Sequence, residues 1–282
     1  MSAFDPRLTP ARADLAAAHL QGKVAAARFV AGEVKQAIRG NVALRGAPSF
    51  DAERHTEILF GEMFTVYEEK NGWAWGQCAL DSYVGYARAS EFASPGPMPT
   101  HRVATFKTPL QPARELTRGA VDFLPLNAKV AVLGEENRYA RIGDGLFVFA
   151  GHLIALATPA SDWVAVAERF LGFPYLWGGK TADGLDCSGL IQLALETGGI
   201  RAPRDADMME AELGKPLPVT PDFPGLRRGD IVFWNEHMGV MLDARRLLHA
   251  NAFHMKVEIE PLAEAVPRIL RIAGPVRTIK RI

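Results

Sequence analysis

The chain has 282 residues with 32 basic and 32 acidic side chains, so its formal net charge is zero, and 48% of its residues are hydrophobic. This length predicts two or three domains with a sizeable core, and the balanced charge gives no indication of nucleic-acid or anionic-membrane binding. The two cysteines, Cys78 and Cys187, exclude a disulfide framework if one of them is catalytic. Since no secretory signal and no apolar run of about 18 residues is visible, we expect a cytoplasmic protein without a membrane partner.

The N-terminal third of the sequence changes character near residue 33. Residues 1–32 form an alanine-rich arm, in which good helix formers allow a short helix, and the arm is expected to pack over another domain. Residues 33–95 instead contain short β-like runs separated by turn signals such as Lys70-Asn71-Gly72, which predicts a small barrel. The predicted strands are 42–45, 63–67, 73–77 and 83–87.

A second stretch of the same kind follows a proline-rich linker at 95–99. Residues 66–74 align with residues 132–140 at a constant offset of 66, with four identities in nine positions. The alignment predicts a second small barrel at 100–157. A helix is predicted over 163–171, with Ser161 or Asp162 as its N-cap.

Chemically interesting residues are concentrated around Asp186-Cys187-Ser188-Gly189. The apolar run that follows ends at a glycine pair, so Cys187 is predicted in the first turn of a helix over 185–197, with Asp186 or Ser188 as the cap. Because first-turn amides and the helix dipole favour an anion, we expect the pKa of the Cys187 thiol to be lower than that of a free thiol. Most cysteines are simply small buried hydrophobes, so the neighbouring motifs decide the interpretation.

Two histidines lie on consecutive strands of one predicted hairpin, His237 in 237–242 and His249 in 247–251. A cysteine nucleophile, a histidine base and a polar group that orients the base form a known catalytic arrangement. Because alternate residues of a strand change face, His249 shares the face of His237 if the hairpin loop has an odd number of residues or the hairpin contains a bulge. The catalytic interpretation therefore predicts an odd loop. A zinc site built from the same three side chains is less favoured, since no closely spaced ligand pair is present.

The remaining elements predict a helix-then-sheet arrangement. Residues 207–213 are predicted as a short helix and 216–224 as a proline-rich loop. Strands are predicted at 229–234, 256–259, 270–272 and 276–279. A helix followed by an antiparallel sheet favours an α+β domain.

Taken together, the motifs resemble the NlpC-type cell-wall cysteine peptidases in order and spacing across residues 160–282. The resemblance implies a papain-like catalytic domain with Cys187 as nucleophile, His237 as base and His249 as the orienting residue. Residues 33–95 and 100–157 resemble the bacterial SH3-like modules that often precede such domains. The predicted fold is therefore multidomain: an arm at 1–32, two small all-β SH3-like barrels at 33–95 and 100–157, and an α+β papain-like domain at 160–282.

The stretch 204–208 resembles the subgroup that releases dipeptides from peptidoglycan stem peptides. This implies cleavage after γ-D-glutamate, in front of a diamino acid, in peptides with a free N-terminal L-Ala, as part of cell-wall recycling and without cofactor or metal. By resemblance, Asp205 binds the free amino group. An amidase or acyltransferase on the same scaffold, or a wall-binding SH3 module with an inactive catalytic domain, stays open as an alternative. The predicted substrate-binding residues are Tyr175, Asp205, Ser188, Asp81, Tyr83 and Glu57.

Overall fold

The computed structural model describes residues 4–115, 117–143, 145–220 and 222–282. The chain divides into two compact units, Met1–Thr158 and Pro159–Ile282. Within the described ranges, the first unit contains β-strands and 3-10 turns, whereas the second has four α-helices, a six-stranded sheet and a two-stranded sheet. None of the helices within the described ranges is both long and apolar enough to cross a membrane.

The segment 4–32 packs within the first unit. Its buried Leu15 contacts Trp75 and Val84, and the guanidinium group of Arg12 pairs with Glu68 and stacks on Trp75 at 4.3 Å from the ring centroid. The helix allowed by composition is absent from the described part of this segment, because packing overrides a weak propensity. A 3-10 turn forms instead at Ala18–Leu20, with two short parallel strands, β1 (Ala16–Ala17) and β2 (Phe29–Val30).

A seven-stranded antiparallel sheet follows. Asn71 and Gly72 have φ values of 52° and 76°, which is the positive pair that a type I′ hairpin turn requires. The four predicted strands are present, together with three further strands that were not predicted. The strands are β3 (Glu33–Ala37), β4 (Asn41–Arg45), β5 (Arg54–Leu59), β6 (Met63–Lys70), β7 (Trp73–Cys78), β8 (Val84–Arg88) and β9 (Phe92–Ala93), in the order β5-β4-β8-β7-β6-β3-β9.

The second half of this unit contains three small sheets around a core of buried aliphatic side chains that includes Val103, Leu124 and Val148. Its strands are β10 (His101–Val103), β11 (Lys107–Leu110), β12 (Asp122–Pro125), β13 (Lys129–Val130), β14 (Val132–Glu136), β15 (Tyr139–Ile142), β16 (Leu146–Phe149) and β17 (Leu153–Ala155). They pair in the orders β13-β10-β17, β11-β12 and β14-β15-β16.

The hairpins β6–β7 and β14–β15 share an unusual local geometry. The strand register shifts between Val66 and Glu68 in the first hairpin and between Val132 and Gly134 in the second. Both hairpins also turn at residues with positive φ. The repeat seen in the sequence therefore corresponds to a repeated bulged hairpin, because the two bulges occupy equivalent positions of the repeat.

A six-stranded antiparallel sheet forms the second unit together with its helices. Asp162 caps the first helix as predicted, since its carboxylate accepts from the N–H groups of Val164 at 2.9 Å and Ala165 at 3.1 Å. The elements are α1 (Trp163–Glu168), β18 (Lys180–Thr181), β19 (Gly184–Leu185), α2 (Cys187–Thr197), α3 (Ala206–Glu212), β20 (Lys215–Leu217), β21 (Asp230–Trp234), β22 (His237–Met241), β23 (Arg246–Asn251), β24 (Lys256–Pro261), α4 (Leu262–Ala273) and β25 (Thr278–Arg281). The sheet order is β20-β25-β21-β22-β23-β24.

Two predictions near the C-terminus are wrong. Residues 270–272 lie in α4 rather than in a strand, and α4 buries Leu262, Ala265 and Ile269 in the core at helical spacing. Pro267 inside the helix obscured that spacing. The proline-rich stretch also contributes β20, which is tolerated because Pro216 lies on an edge strand, where a missing N–H leaves the sheet intact.

Candidate active site

Cys187 is the first residue of α2, and the N-cap of this helix is Asp186. The N–H group of Gly189 donates to Oδ1 of Asp186 at 2.6 Å, so the predicted first-turn position of Cys187 and the cap at Asp186 are confirmed, and the helix begins two residues after the predicted 185. A Cβ atom on Gly189 would lie 2.1 Å from the carbonyl oxygen of Gly179, so a larger residue would push the helix start away from the preceding loop. The cysteine is therefore held in a fixed place, with 7% of its surface exposed.

A buried ion pair supports this helix start. Arg204, which is 1% exposed, donates from Nη1 to Oδ1 of Asp186 at 3.0 Å and from Nη2 to Oδ2 at 2.7 Å. Nη1 also donates to the hydroxyl of Ser188 at 2.7 Å. The Ser188 side chain, predicted to bind substrate, is thus engaged with Arg204. Its role in substrate binding stays a prediction.

The register of β22 and β23 decides how the two histidines meet. Val240 pairs with Leu248 and Met241 with Leu247. Five residues separate Met241 from Leu247, so the predicted odd loop is confirmed. In this register His249 lies diagonal to His237 on the same face of the sheet.

His237 and His249 belong to a chain of hydrogen-bonded side chains. Nε2 of His237 lies 2.8 Å from Nδ1 of His249, and Nε2 of His249 lies 2.6 Å from Oε1 of Glu260. Arg268 of α4 donates to the same carboxylate oxygen. The sequence interpretation missed Glu260 and Arg268, because the predicted strand ended at 259 and α4 was not predicted. The sequence signal that could have found Glu260 is its place as an acidic residue at an alternating position of the strand that follows the strand of His249.

Charges and hydrogen bonds together determine which ring nitrogens carry protons. Burial lowers the pKa of His237 to about 3, with further lowering from His249 and Arg268, and burial also lowers the pKa of His249. Although burial favours protonated Glu260, hydrogen bonds from His249 and Arg268 lower its pKa to about 2. The ionised carboxylate therefore accepts from Nε2–H of His249. Nδ1 of His249 then accepts from Nε2–H of His237, which leaves Nδ1 of His237 unprotonated.

The thiol lies against the strand that carries the base. α2 packs on β22, and the backbone N–H of Met238, the residue after His237, is placed to stabilise the Cys187 thiolate. Burial nevertheless raises the pKa of the Cys187 thiol to about 12, and the charge of Asp186 adds to this rise. The expected low pKa is therefore wrong for the ligand-free protein, because desolvation outweighs the helix start. Thiol and imidazole are both neutral at pH 7.

Two further predicted substrate-binding residues, Tyr175 and Asp205, lie in the second unit. Burial, followed by the charges of Cys187 and Asp186, raises the pKa of Tyr175, so its hydroxyl shares the electrostatic surroundings of the thiol. Asp205 is the N-cap residue of α3, but its side chain makes no capping hydrogen bond with that helix. The contacts of both residues with substrate stay predictions.

The other three predicted substrate-binding residues lie in the first unit, and all three are buried. Glu57 is 1% exposed and accepts from Asn41 at 2.7 Å and Arg54 at 2.8 Å. Asp81 accepts from the backbone N–H of Tyr83 at 3.1 Å. Tyr83 packs edge-on against a histidine ring. These interactions lie within the first unit, and the substrate-binding roles of these residues stay predictions.

A metal centre is not visible in the part of the chain that the structure describes. No group of three or more histidine, cysteine or acidic side chains there could hold a metal ion. Neither cysteine forms a disulfide bond. The site is therefore built from a thiol, two imidazoles, a carboxylate and a guanidinium group. These functional groups are suited to nucleophilic acyl transfer.

Comparison with known families divides the chain into two matched segments. Residues 172–269 match the model of the NlpC/P60 family, and residues 44–92 match that of the bacterial dipeptidyl-peptidase SH3 domain. Both predicted resemblances are therefore confirmed. The number of SH3-like modules is a separate matter, because only one such segment is matched.

Similar proteins carry related names. A gamma-D-glutamyl-L-lysine dipeptidyl-peptidase of Bacillus subtilis is 27% identical over 75% of this chain and 77% of its own length. Dipeptidyl-peptidase 6 of Lysinibacillus sphaericus is 33% identical over 37% of each chain, so this match spans well under half of that relative. An NlpC/P60 family protein from Bacillus cereus superposes with a TM-score of 0.74 at 18% identity, covering 88% of this chain and 99% of that one. The superposition shows a shared fold.

Proposed function

Because residues 172–269 form a domain of the NlpC/P60 family, we propose that the protein is a cysteine peptidase acting on peptidoglycan-derived peptides, with Cys187 as nucleophile and His237 as base. The observation that carries the proposal is the hydrogen-bonded chain from His237 through His249 to Glu260, which begins on β22, the strand against which the helix of Cys187 packs. This chain leaves one unprotonated nitrogen, Nδ1 of His237, on the strand that packs against the nucleophile helix.

The reaction follows from these protonation states. Nδ1 of His237 takes the thiol proton as the Cys187 sulfur attacks the carbonyl carbon of the scissile bond. The carbon–nitrogen bond then breaks, and the imidazolium returns its proton to the leaving amine. Water attacks the resulting thioester, gives a proton to His237, and restores the thiol as the carbon–sulfur bond breaks. Since thiol and imidazole start neutral, proton transfer accompanies the attack.

We further propose that the bond cleaved joins γ-D-glutamate to a diamino acid in peptides that begin with a free L-Ala. The names of the relatives support this substrate class. A free ammonium group loses water on entering a closed groove, so it needs an anionic acceptor, and Asp205 is the proposed one. Peptides of this kind are released from the cell wall and are substrates for wall recycling.

We also propose that the protein acts in the cytoplasm, and cell fractionation tests this location.

The experiment compares L-Ala-γ-D-Glu-diaminopimelate with its N-acetylated form. The native protein is expected to prefer the free amine on the order of a thousandfold in kcat/KM, since acetylation removes the ammonium charge that Asp205 is proposed to bind. Asp205→Asn should lose most of this preference. Asp207→Asn is the matched control, because Asp207 is exposed and lies two residues further along in α3. Equal turnover of both peptides by the native protein would refute the proposed substrate recognition.

The finer domain architecture is also part of the proposal. The repeated bulged hairpin at 66–68 and 132–134 supports two tandem SH3-like modules, at 33–95 and 100–157. The shared fold with an NlpC/P60 protein supports a papain-like arrangement of 160–282. Expressing 160–282 alone tests the proposed division: the fragment should fold if this boundary is right.

A further inference from the structure

Glu260 and Arg268 extend the active site beyond the three residues that the sequence motifs indicate. Oε1 of Glu260 lies 2.6 Å from Nε2 of His249 and also accepts from Arg268. The His249 side chain is completely buried, and the side chains of Glu260 and Arg268 are 11% and 20% exposed. An ion pair this close to a buried imidazole is well placed to control its protonation.

Strand register alone would select a different carboxylate. In the pairing of β23 with β24, His249 stands directly opposite Glu258, and Glu260 stands opposite Leu247. The side chain of Glu258, however, forms an ion pair with Lys256 at 2.6 Å. Glu260 takes the place beside His249 because Arg268, reaching from α4, binds its carboxylate there. The sheet places both carboxylates on the face of His249, and the selection between them depends on α4.

An aromatic ring covers this ion pair on one side. The Phe253 ring centroid lies 4.4 Å from Cζ of Arg268. Such a contact is favourable for a guanidinium group and reduces its exposure to water. The ring thereby strengthens the attraction between Arg268 and Glu260, because a less hydrated pair interacts more strongly.

We propose that Glu260 and Arg268 are positioning residues that hold His249, and through it His237, in the tautomer that leaves Nδ1 of His237 free to accept the Cys187 proton. This inference rests on the proposed cysteine-peptidase function and assigns a role to two residues outside the predicted triad. Without the carboxylate, His249 can present a proton on either nitrogen, so His237 loses its fixed acceptor.

Other ionisable groups also face this chain of side chains. His254 acts on His249, and its Nδ1 contacts Oδ1 of Asn251 at 3.0 Å. The charge of Arg268 acts on both catalytic-site histidines and lowers the pKa of each, after burial. Among these groups, Glu260 is the one that accepts a hydrogen bond from His249. Replacing it therefore changes the tautomer, whereas the other groups change only the charge balance.

The experiment reads the tautomer directly. In the full chain at pH 7, ¹⁵N NMR of the histidine rings distinguishes protonated from unprotonated nitrogens. The native His237 ring is expected to have a protonated Nε2 and an unprotonated Nδ1. Glu260→Gln should give a mixture of tautomers at His237 and His249. Glu258→Gln, on the same strand but paired with Lys256, should keep the native pattern.

Turnover provides the second readout. Glu260→Gln should lower kcat for the tripeptide on the order of a hundredfold, with KM little changed. This loss is smaller than the loss expected from replacing a residue that contacts the base itself. Arg268→Gln keeps the Glu260 carboxylate in the chain but removes the side chain that holds it beside His249. This variant should show the same change of tautomer to a smaller extent, which covers the case that Glu260→Gln does not fold. Native tautomers in both variants, or equal losses in Glu258→Gln and Glu260→Gln, would overturn the inference. If the native protein fails to cleave the tripeptide while Glu260→Gln still changes the tautomers, the proposed substrate is wrong and the positioning role stands.

Discussion

A Cβ atom placed on Gly239 would lie 2.9 Å from Cβ of His249. It would also lie 2.8 Å from Cδ1 of Leu247. The glycine thus gives His249 the space to stand across the hairpin and reach Nε2 of His237. The requirement for glycine here is steric and not conformational, since the φ of Gly239 is not in the left-handed region.

Gly239→Ala should therefore damage both stability and turnover. Overpacking of this kind costs about 1–3 kcal/mol, and displacement of His249 should lower kcat in addition. Thermal unfolding and kcat measured on the same sample separate the two effects. Gly134→Ala is the control, because a Cβ there lies 4.0 Å from its nearest neighbour, Nη2 of Arg141. Full turnover in Gly239→Ala would show that His249 tolerates displacement.

The pH dependence of Cys187 alkylation should reflect its raised pKa. With a pKa of about 12, the ligand-free thiol is almost entirely protonated at pH 7, so iodoacetamide should react more slowly than with a free thiol. The rate should keep rising through the alkaline range, because the thiolate fraction grows as pH approaches the pKa. Mass spectrometry of the Cys187 peptide measures it. A fast plateau extending below pH 6 would instead indicate a preformed thiolate–imidazolium pair.

Removal of Arg204 should destabilise the first turn of the nucleophile helix α2. Arg204→Met leaves the Asp186 carboxylate buried without its partner, which costs about 3–5 kcal/mol. Hydrogen–deuterium exchange of the α2 amides should accelerate accordingly. Arg246→Met removes an exposed pair with Asp243 and should change exchange little, since exposed pairs contribute about 1 kcal/mol or less. Unchanged α2 exchange in Arg204→Met would mean that the helix start does not depend on this pair.

Substitution of the two histidines should lower kcat to different extents. His237→Ala removes the base and should reduce kcat nearly as much as loss of the nucleophile, whereas His249→Ala removes only the orienting group and should be milder. His254→Ala is the matched control, because its ring contacts Asn251 rather than either histidine of the chain. Single-turnover kinetics with the tripeptide checks the order. A larger loss for His249→Ala than for His237→Ala would reverse the assigned roles.

Much of the site was predictable because its signals are local. The cap at Asp186, the helix start at Cys187 and the strands that carry His237 and His249 follow from short sequence patterns. The odd loop followed from the face that catalysis requires. Only tertiary contacts could reveal that Glu260, rather than Glu258, reaches His249, because the choice depends on an arginine from α4.

The errors have similar physical causes. The pKa of Cys187 was misjudged because the helix start is visible in sequence, whereas the burial that opposes it depends on the whole fold. Helix α4 was missed because Pro267 conceals its periodicity, although Leu262, Ala265 and Ile269 mark its buried face. The helix allowed by the composition of the arm did not form, since the packing of Leu15 on Trp75 decides that segment.

The most direct test of Cys187 as the nucleophile of a γ-D-glutamyl peptidase is mass spectrometry of the products from L-Ala-γ-D-Glu-diaminopimelate. The native protein and the Cys78→Ala variant, which lacks the other cysteine side chain, should both release L-Ala-γ-D-Glu and free diaminopimelate. Cys187→Ala should release neither. Products from Cys187→Ala, or a native product set in which the bond between γ-D-Glu and diaminopimelate is intact, would contradict the account.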